Sequence, residues 1–308
     1  MNHKFDYKNV VVILPERLGD ALFHTPALRL LKTLRPGIRL DVIALSPLSG
    51  EILKNNPHVD NVHIAPGKSE TKRLAERYDV ALAIHDHAGT RMYADWLDIE
   101  TITITQSNVP MHRAQHSLDF MCELLGCATA GVDSHYDLFP GANNFVNVAT
   151  LLREQGYASD NDILIGCHIG CHSIAKRGLK LWRAPTHPKA WPFDNFVALE
   201  AALRKKNSRI RFVLTGSKGE KSLGRKFVKL APTAINLIDK TAVLDLAALM
   251  KSLALFITPD TGTLHVACAT GIDIIALFGP TNVRVTGPHP LQKNYTVLQA
   301  QTLADITV

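Results

Sequence analysis

Short, continuously apolar runs alternate along the chain with longer stretches whose apolar residues recur every three or four positions. VVVIL (10–14) leads into a helical pattern that runs to Leu34. LDVIAL (40–45) leads into LSGEILKNN, and VHIA (62–65) into KSETKRLAERY. DVALAIH (79–85) and TITIT (101–105) come next, followed by a helical pattern near SLDFMCELLG (117–126). Strands that are apolar on both faces and followed by helices predict parallel βαβ units, with helices covering both sides of the sheet.

The pattern weakens over 138–148 (LFPGANNFVNV), and a second series then begins. Its predicted strands are ILIGCHIG (163–170), IRFVLTG (210–216), TAINLI (233–238), LFITPD (255–260) and DIIALFGP (273–280). Its predicted helices are FVALEAALRKKN (196–207), VLDLAALMKSL (243–253) and TLHVACATG (263–271). The alternation predicts an α/β protein of two doubly wound, Rossmann-like domains, residues 1–145 and 146–308, facing each other across a cleft. Ligands of open α/β sheets bind beyond the carboxyl ends of the strands, so the loops there carry the candidate chemistry.

Composition narrows the setting. The 308 residues are enough for two ordinary domains. Residues 1–9 (MNHKFDYKN) lack the apolar core of a signal peptide, and no apolar run approaches the ~20 residues that cross a bilayer. Five cysteines, an odd number, in a chain of this size argue for a reducing compartment, so a cytoplasmic location is expected. Lys and Arg outnumber Asp and Glu by 34 to 28, which favours an anionic partner such as a nucleotide or a phosphorylated lipid. No nucleic-acid partner is expected, because aromatics are only 6% and no basic helix interleaves them.

ITPDTGTLHVACATG (257–271) is the clearest loop. Asp260 or Thr261 can cap a helix there, and Gly262 and Thr263 keep its first turn small. The alternative to simple capping is a phosphate held by the first-turn amides, with His265 one turn inside. Gly279-Pro280-Thr281 forms a tight turn at the end of the next strand. LTGSKGEKSLG (214–224) lacks the second glycine directly before Lys-Ser, which excludes a nucleoside-triphosphate P-loop. Its Glu220 either accepts two ribose hydroxyls or is a solvated helix-start acid. In the basic stretch 168–192, Lys176, Arg177, Lys180, Arg183 and Lys189 suit a pyrophosphate or an anionic acceptor. The Cys167-His168 and Cys171-His172 pairs fall short of a zinc pattern, and Cys167 is expected to sit in its strand as a small apolar residue. Near the N-terminus, Gly19-Asp20 puts a carboxylate at a helix start, where it would repel phosphate. Asp20 is therefore a cap or a general base, with His24 and Thr25 about one turn on and lining the same mouth.

Three segments carry a family resemblance: GDALFHTPALRLLKTLRP, KAWPFDNF and PDTGTLHVACATGIDIIALFGPT. Together they resemble the ADP-heptose:lipopolysaccharide heptosyltransferases, glycosyltransferase family 9. The resemblance implies a GT-B fold, with the acceptor in the N-terminal domain and the sugar nucleotide in the C-terminal one. It implies inverting transfer of heptose from ADP-heptose to a phosphorylated glycolipid, the Kdo-bearing lipid A of the inner core, in transient contact with the cytoplasmic membrane face. No metal and no cofactor is implied. Asp20 matches the family's base, Lys189 its phosphate-binding lysine, and Glu220 its ribose contact. Asp260, Thr261, Gly262 and His265 match its donor motif, to which Thr263, Gly279 and Thr281 are adjacent. The stretch between Gly170 and Lys189 is longer than the usual family form, which makes Lys176 and Arg177 further candidates, with Gly19, His24 and Thr25, for phosphate or acceptor contacts. Transfer of another sugar to a different surface glycan or protein, and a non-catalytic sugar-nucleotide module, are the alternatives.

Overall fold

The computed structural model describes residues 5–105, 107–157, 161–171 and 189–308. The chain folds as two units, Met1–Phe139 and Pro140–Val308. The first unit is one parallel sheet of β1 (Asn9–Leu14), β2 (Arg39–Ala44), β3 (Asn61–Ile64), β4 (Val80–Ala83) and β5 (Thr101–Thr103). Its spatial order is β3-β2-β1-β4-β5. Val10 to Leu14 are wholly buried, as a central strand covered on both faces requires.

The helical pattern expected to run unbroken to Leu34 is two helices, Leu18–Leu22 and Thr25–Leu34. Pro26 explains the break. A continuous helix would take an N–H from position 26 to the Leu22 carbonyl, and proline has none. The Thr25 hydroxyl donates to that carbonyl instead, at 2.9 Å. The apolar pattern does not reveal the Ala88–Leu97 helix. The helix expected near 117–126 spans Arg113–Leu125, with the His112 side chain accepting from the Ala114 amide.

The second unit is also one parallel sheet, of β6 (Ile163–His168), β7 (Ile210–Thr215), β8 (Ile235–Asn236), β9 (Leu255–Pro259), β10 (Ile274–Phe278) and β11 (Tyr295–Gln299). Its order is β11-β10-β9-β6-β7-β8. The weak stretch 138–148 contains the start of a helix, Ala142–Glu154, and the division falls before it, after Phe139. Its polar first turn hides the period: Asn144 accepts from the Gly141 amide and donates to Asp245. In both sheets the strand order reverses once, between β1 and β4 and between β6 and β9.

Aromatic packing fixes the segment that follows Lys189. Trp191 stands edge-on to Phe196 at 4.6 Å, and its indole N–H donates to the Ile306 carbonyl at 2.7 Å. Asn195 donates to the same carbonyl at 3.1 Å. These bonds pin the chain two residues after the lysine.

Packing is close at Gly166 in β6. A Cβ there would lie 2.5 Å from Leu253 Cδ1 and 2.6 Å from Phe256 Cδ2. Gly166→Ala is expected to destabilise the protein by about 1–3 kcal/mol in urea denaturation. Gly37→Ala, whose methyl meets nothing within 4 Å, should stay within about 0.5 kcal/mol of the parent.

Candidate functional site

β9 ends at Pro259, and the helix Gly262–Thr270 follows Asp260 and Thr261. Neither residue caps it. Thr261 occupies the N-cap position with an extended backbone but makes no capping bond. Its hydroxyl lies 2.7 Å from that of Thr263 and 3.3 Å from that of Thr258, and Thr258 and Thr263 are 3.1 Å apart. Asp260 accepts from Lys189 Nζ at 2.8 Å. With the hydroxyls turned to one another and the carboxylate to the lysine, the first-turn amides meet no side-chain acceptor among the described residues. The positive end of the helix dipole lies at the same point. His265 is buried one turn inside.

Gly279-Pro280-Thr281 follows the neighbouring β10. Gln299 in β11 braces this turn, donating to the Thr281 carbonyl at 3.2 Å. The buried Thr281 hydroxyl finds no partner among the described residues.

Glu220 is neither solvated nor a surface acid; it is 3% exposed. Its Oε2 accepts from the Ser217 amide at 2.7 Å and from the Ser217 hydroxyl at 3.1 Å. Its Oε1 lies 3.7 Å from His168 Nε2, beyond hydrogen-bond length, at the end of β6. Gly170 passes directly over it: a Cβ there would fall 1.7 Å from Glu220 Oε1. Burial lowers the His168 pKa against the Glu220 charge. Cys167 is an interior strand residue, its thiol pushed well up by burial. Among the described residues no three His, Cys, Asp or Glu side chains gather to hold a metal. No helix among them is long and apolar enough to cross a membrane. Lys176 and Arg177 lie outside the described residues.

In the first unit, Gly19 and Asp20 open the short helix after β1. Asp20 makes no capping bond; its Oδ1 accepts from Arg113 Nη1 at 2.6 Å. Two expectations are corrected here. Thr25 does not line a mouth, because it is wholly buried, and its hydroxyl joins the Leu22 carbonyl to the Asp137 amide. His24 is 2% exposed and faces inward, with Nδ1 at 2.9 Å from Ser117 Oγ and Nε2 at 3.1 Å from His85 Nδ1. Sequence pattern alone misses Arg113 and His85. A signal for His85 is present, since it follows an apolar strand directly and strand ends carry chemistry.

Residues 181–307 match the model of glycosyltransferase family 9 (heptosyltransferase). Lipooligosaccharide heptosyltransferase 2 of Haemophilus influenzae is 28% identical over 105 residues, 32% of this chain and 30% of that protein. The match thus spans about a third of that relative's length. The glycosyl transferase family 9 structure from Veillonella parvula superposes with a TM-score of 0.80 at 23% identity, covering 96% of this chain and 87% of that one. The structure of E. coli heptosyltransferase WaaC with ADP gives a TM-score of 0.70 at 18% identity, covering 97% and 96%. These likenesses establish the GT-B fold over almost the whole chain.

The contact between Gly170 and Glu220 is testable alone. Gly170→Ala should cost about 1–3 kcal/mol of unfolding free energy. In a Glu220→Ala background, where the clashing atoms are gone, most of that cost should vanish. Equal costs in both backgrounds, measured as a double-mutant cycle, would contradict the packing described.

Proposed function

We propose that the protein is an inverting, metal-independent glycosyltransferase that moves heptose from ADP-heptose to the Kdo-bearing inner core of lipid A. The observation that carries this reading is the uncapped start of the Gly262–Thr270 helix beside the Lys189–Asp260 pair. Amides at a helix start and a lysine on a pinned segment suit the diphosphate of a sugar nucleotide. The family model over residues 181–307 and the ADP named for the E. coli relative support the choice of donor.

The donor diphosphate binds at the amides of Gly262 and Thr263. Lys189 turns from Asp260 toward it, and Thr281 donates its unused hydroxyl. Glu220 Oε1 takes the ribose hydroxyls, and His265 stands by the phosphates. Asp260 is left with acceptor capacity for sugar hydroxyls. As the bond from C1 to the diphosphate oxygen lengthens, negative charge grows on the leaving group. The amides and Lys189 then bind it more tightly than in the ground state, and that difference lowers the barrier. Asp20 accepts the proton of the acceptor hydroxyl while its oxygen bonds to C1 from the face opposite ADP, which inverts C1. The acceptor is a lipid, so the reaction takes place in transient contact with the cytoplasmic membrane face.

Calorimetry with ADP and ADP-heptose against UDP- and GDP-sugars tests the donor assignment. Selective ADP binding, weakened by Asp260→Ala, is expected. A preference for UDP or GDP would keep the fold and discard the heptose donor, and no nucleotide binding would favour a non-catalytic module. Asp20→Ala is expected to lower the transfer rate at least ~100-fold with donor affinity unchanged. Turnover near that of the parent would remove Asp20 as the base.

A further inference from the structure

Asp20 lies in the first turn of its helix, where an acid ordinarily turns to the backbone amides of that helix. It makes no such bond, and the helix, Leu18–Leu22, is only five residues long. The carboxylate is fixed from outside instead. Arg113, 93 positions along the chain, donates from Nη1 to Asp20 Oδ1 at 2.6 Å. Asp20 Oδ2 makes no hydrogen bond with a described residue, and the side chain is 18% exposed.

The arginine is itself set in place by the residues around it. It opens the helix Arg113–Leu125. His112, just before it, accepts from the Ala114 amide at 3.1 Å and stands edge-on to Phe23, with ring centres 5.4 Å apart. One turn further on, Ser117 Oγ lies 2.9 Å from His24 Nδ1. Asp20, Phe23 and His24 on one segment therefore meet Arg113, His112 and Ser117 on the other. Phe23, His24 and Ser117 are buried, so water does not compete where the two segments are joined. The guanidinium reaches Asp20 from a fixed base.

A general base works only where its lone pair meets the proton at hydrogen-bond length. An unheld carboxylate rotates and exchanges its oxygens. A charge-assisted bond to one oxygen stops both motions and leaves the lone pairs of the other in one place. A displacement of about 1 Å at a reacting group costs on the order of 100-fold in rate. The bond to Asp20 uses one guanidinium nitrogen and not the paired fork that sets arginine apart from lysine. An ammonium at the same point can therefore replace it.

Resting on the reading of Asp20 as general base, we propose that Arg113 is a positioning residue for glycosyl transfer, holding Asp20 Oδ1 so that Oδ2 faces the attacking hydroxyl of the acceptor. The acceptor oxygen bonds to C1 as the bond from C1 to the diphosphate breaks, and its proton passes to Oδ2. Arg113 neither gives nor takes a proton.

Steady-state kinetics of heptose transfer by Arg113→Ala, Arg113→Lys and Asp20→Ala test this role. Arg113→Ala is expected to lower kcat about 10- to 100-fold with the KM of donor and acceptor unchanged. Added guanidinium ion should restore part of the loss, and Arg113→Lys should keep most of the parent kcat. In an Asp20→Ala background, Arg113→Ala should cost nothing more. The urea midpoint should barely move, because the pair is partly exposed. Full kcat in Arg113→Ala, where Asp20→Ala loses transfer, would overturn the role of Arg113 and keep the base. Turnover that survives Asp20→Ala would instead remove the base, and this role with it. A raised acceptor KM at full kcat would make Arg113 an acceptor contact and also overturn the proposal. NMR of the arginine side chains in the full chain reads the contact without turnover. The Arg113 Nη protons should exchange slowly in the parent and fast in Asp20→Ala. A freely rotating guanidinium in the parent would overturn the proposal whatever donor the protein uses.

Discussion

Each sheet is built on central strands buried on both faces, and that burial has a consequence at their ends. A parallel strand covered on both sides must be wound with helices that leave toward opposite faces. Where the winding reverses, two neighbouring strand ends send their chains apart, and their loops have no packed neighbour between them. β1 and β4 form one such point, and β6 and β9 form the other. The residues proposed for the chemistry lie on loops or helix starts at the carboxyl ends of these sheets, or are held against one.

The two reversal points solve the same electrostatic problem in opposite ways. A helix start presents amides and partial positive charge. After β9 the side chains able to cap those amides are drawn elsewhere: the threonine hydroxyls to one another, and Asp260 to Lys189. That start remains open to an anion. After β1 an acid sits in the first turn itself and is met by Arg113 from a distant helix, so an anion is already in place. In the proposed reaction, one point takes the diphosphate and the other takes the acceptor's proton.

Much of this was legible in the chain because apolar runs such as 10–14 and 274–278 are long, β-branched and uninterrupted. The Asp260 to His265 loop stood out as a small-residue helix start after a strand, with capping by Asp260 or Thr261 and an open start left as alternatives. Other features were hidden for physical reasons. The helix from Ala142 begins with polar residues whose bonds are tertiary, to Asp245, and leaves Phe145 and Val146 exposed. The break before Thr25 depends on one proline inside an otherwise perfect period. Arg113 and Ser117 lie about 90 residues from Asp20 and His24, the partners they meet, and no local pattern reports such a pairing. Local sequence left Glu220 equally a ribose contact or a solvated acid, because burial beneath Gly170 is a property of the folded sheet end alone.

The central claim is that a sugar-nucleotide diphosphate sits on the amides at the start of the Gly262–Thr270 helix. Backbone amide NMR of the full chain during titration with ADP tests it most directly. The account predicts that the Gly262 and Thr263 amides shift first and furthest, that the Lys189 ammonium signal follows, and that these shifts diminish in Lys189→Ala. Saturable shifts confined to other loops, with Gly262 and Thr263 unmoved, would contradict it.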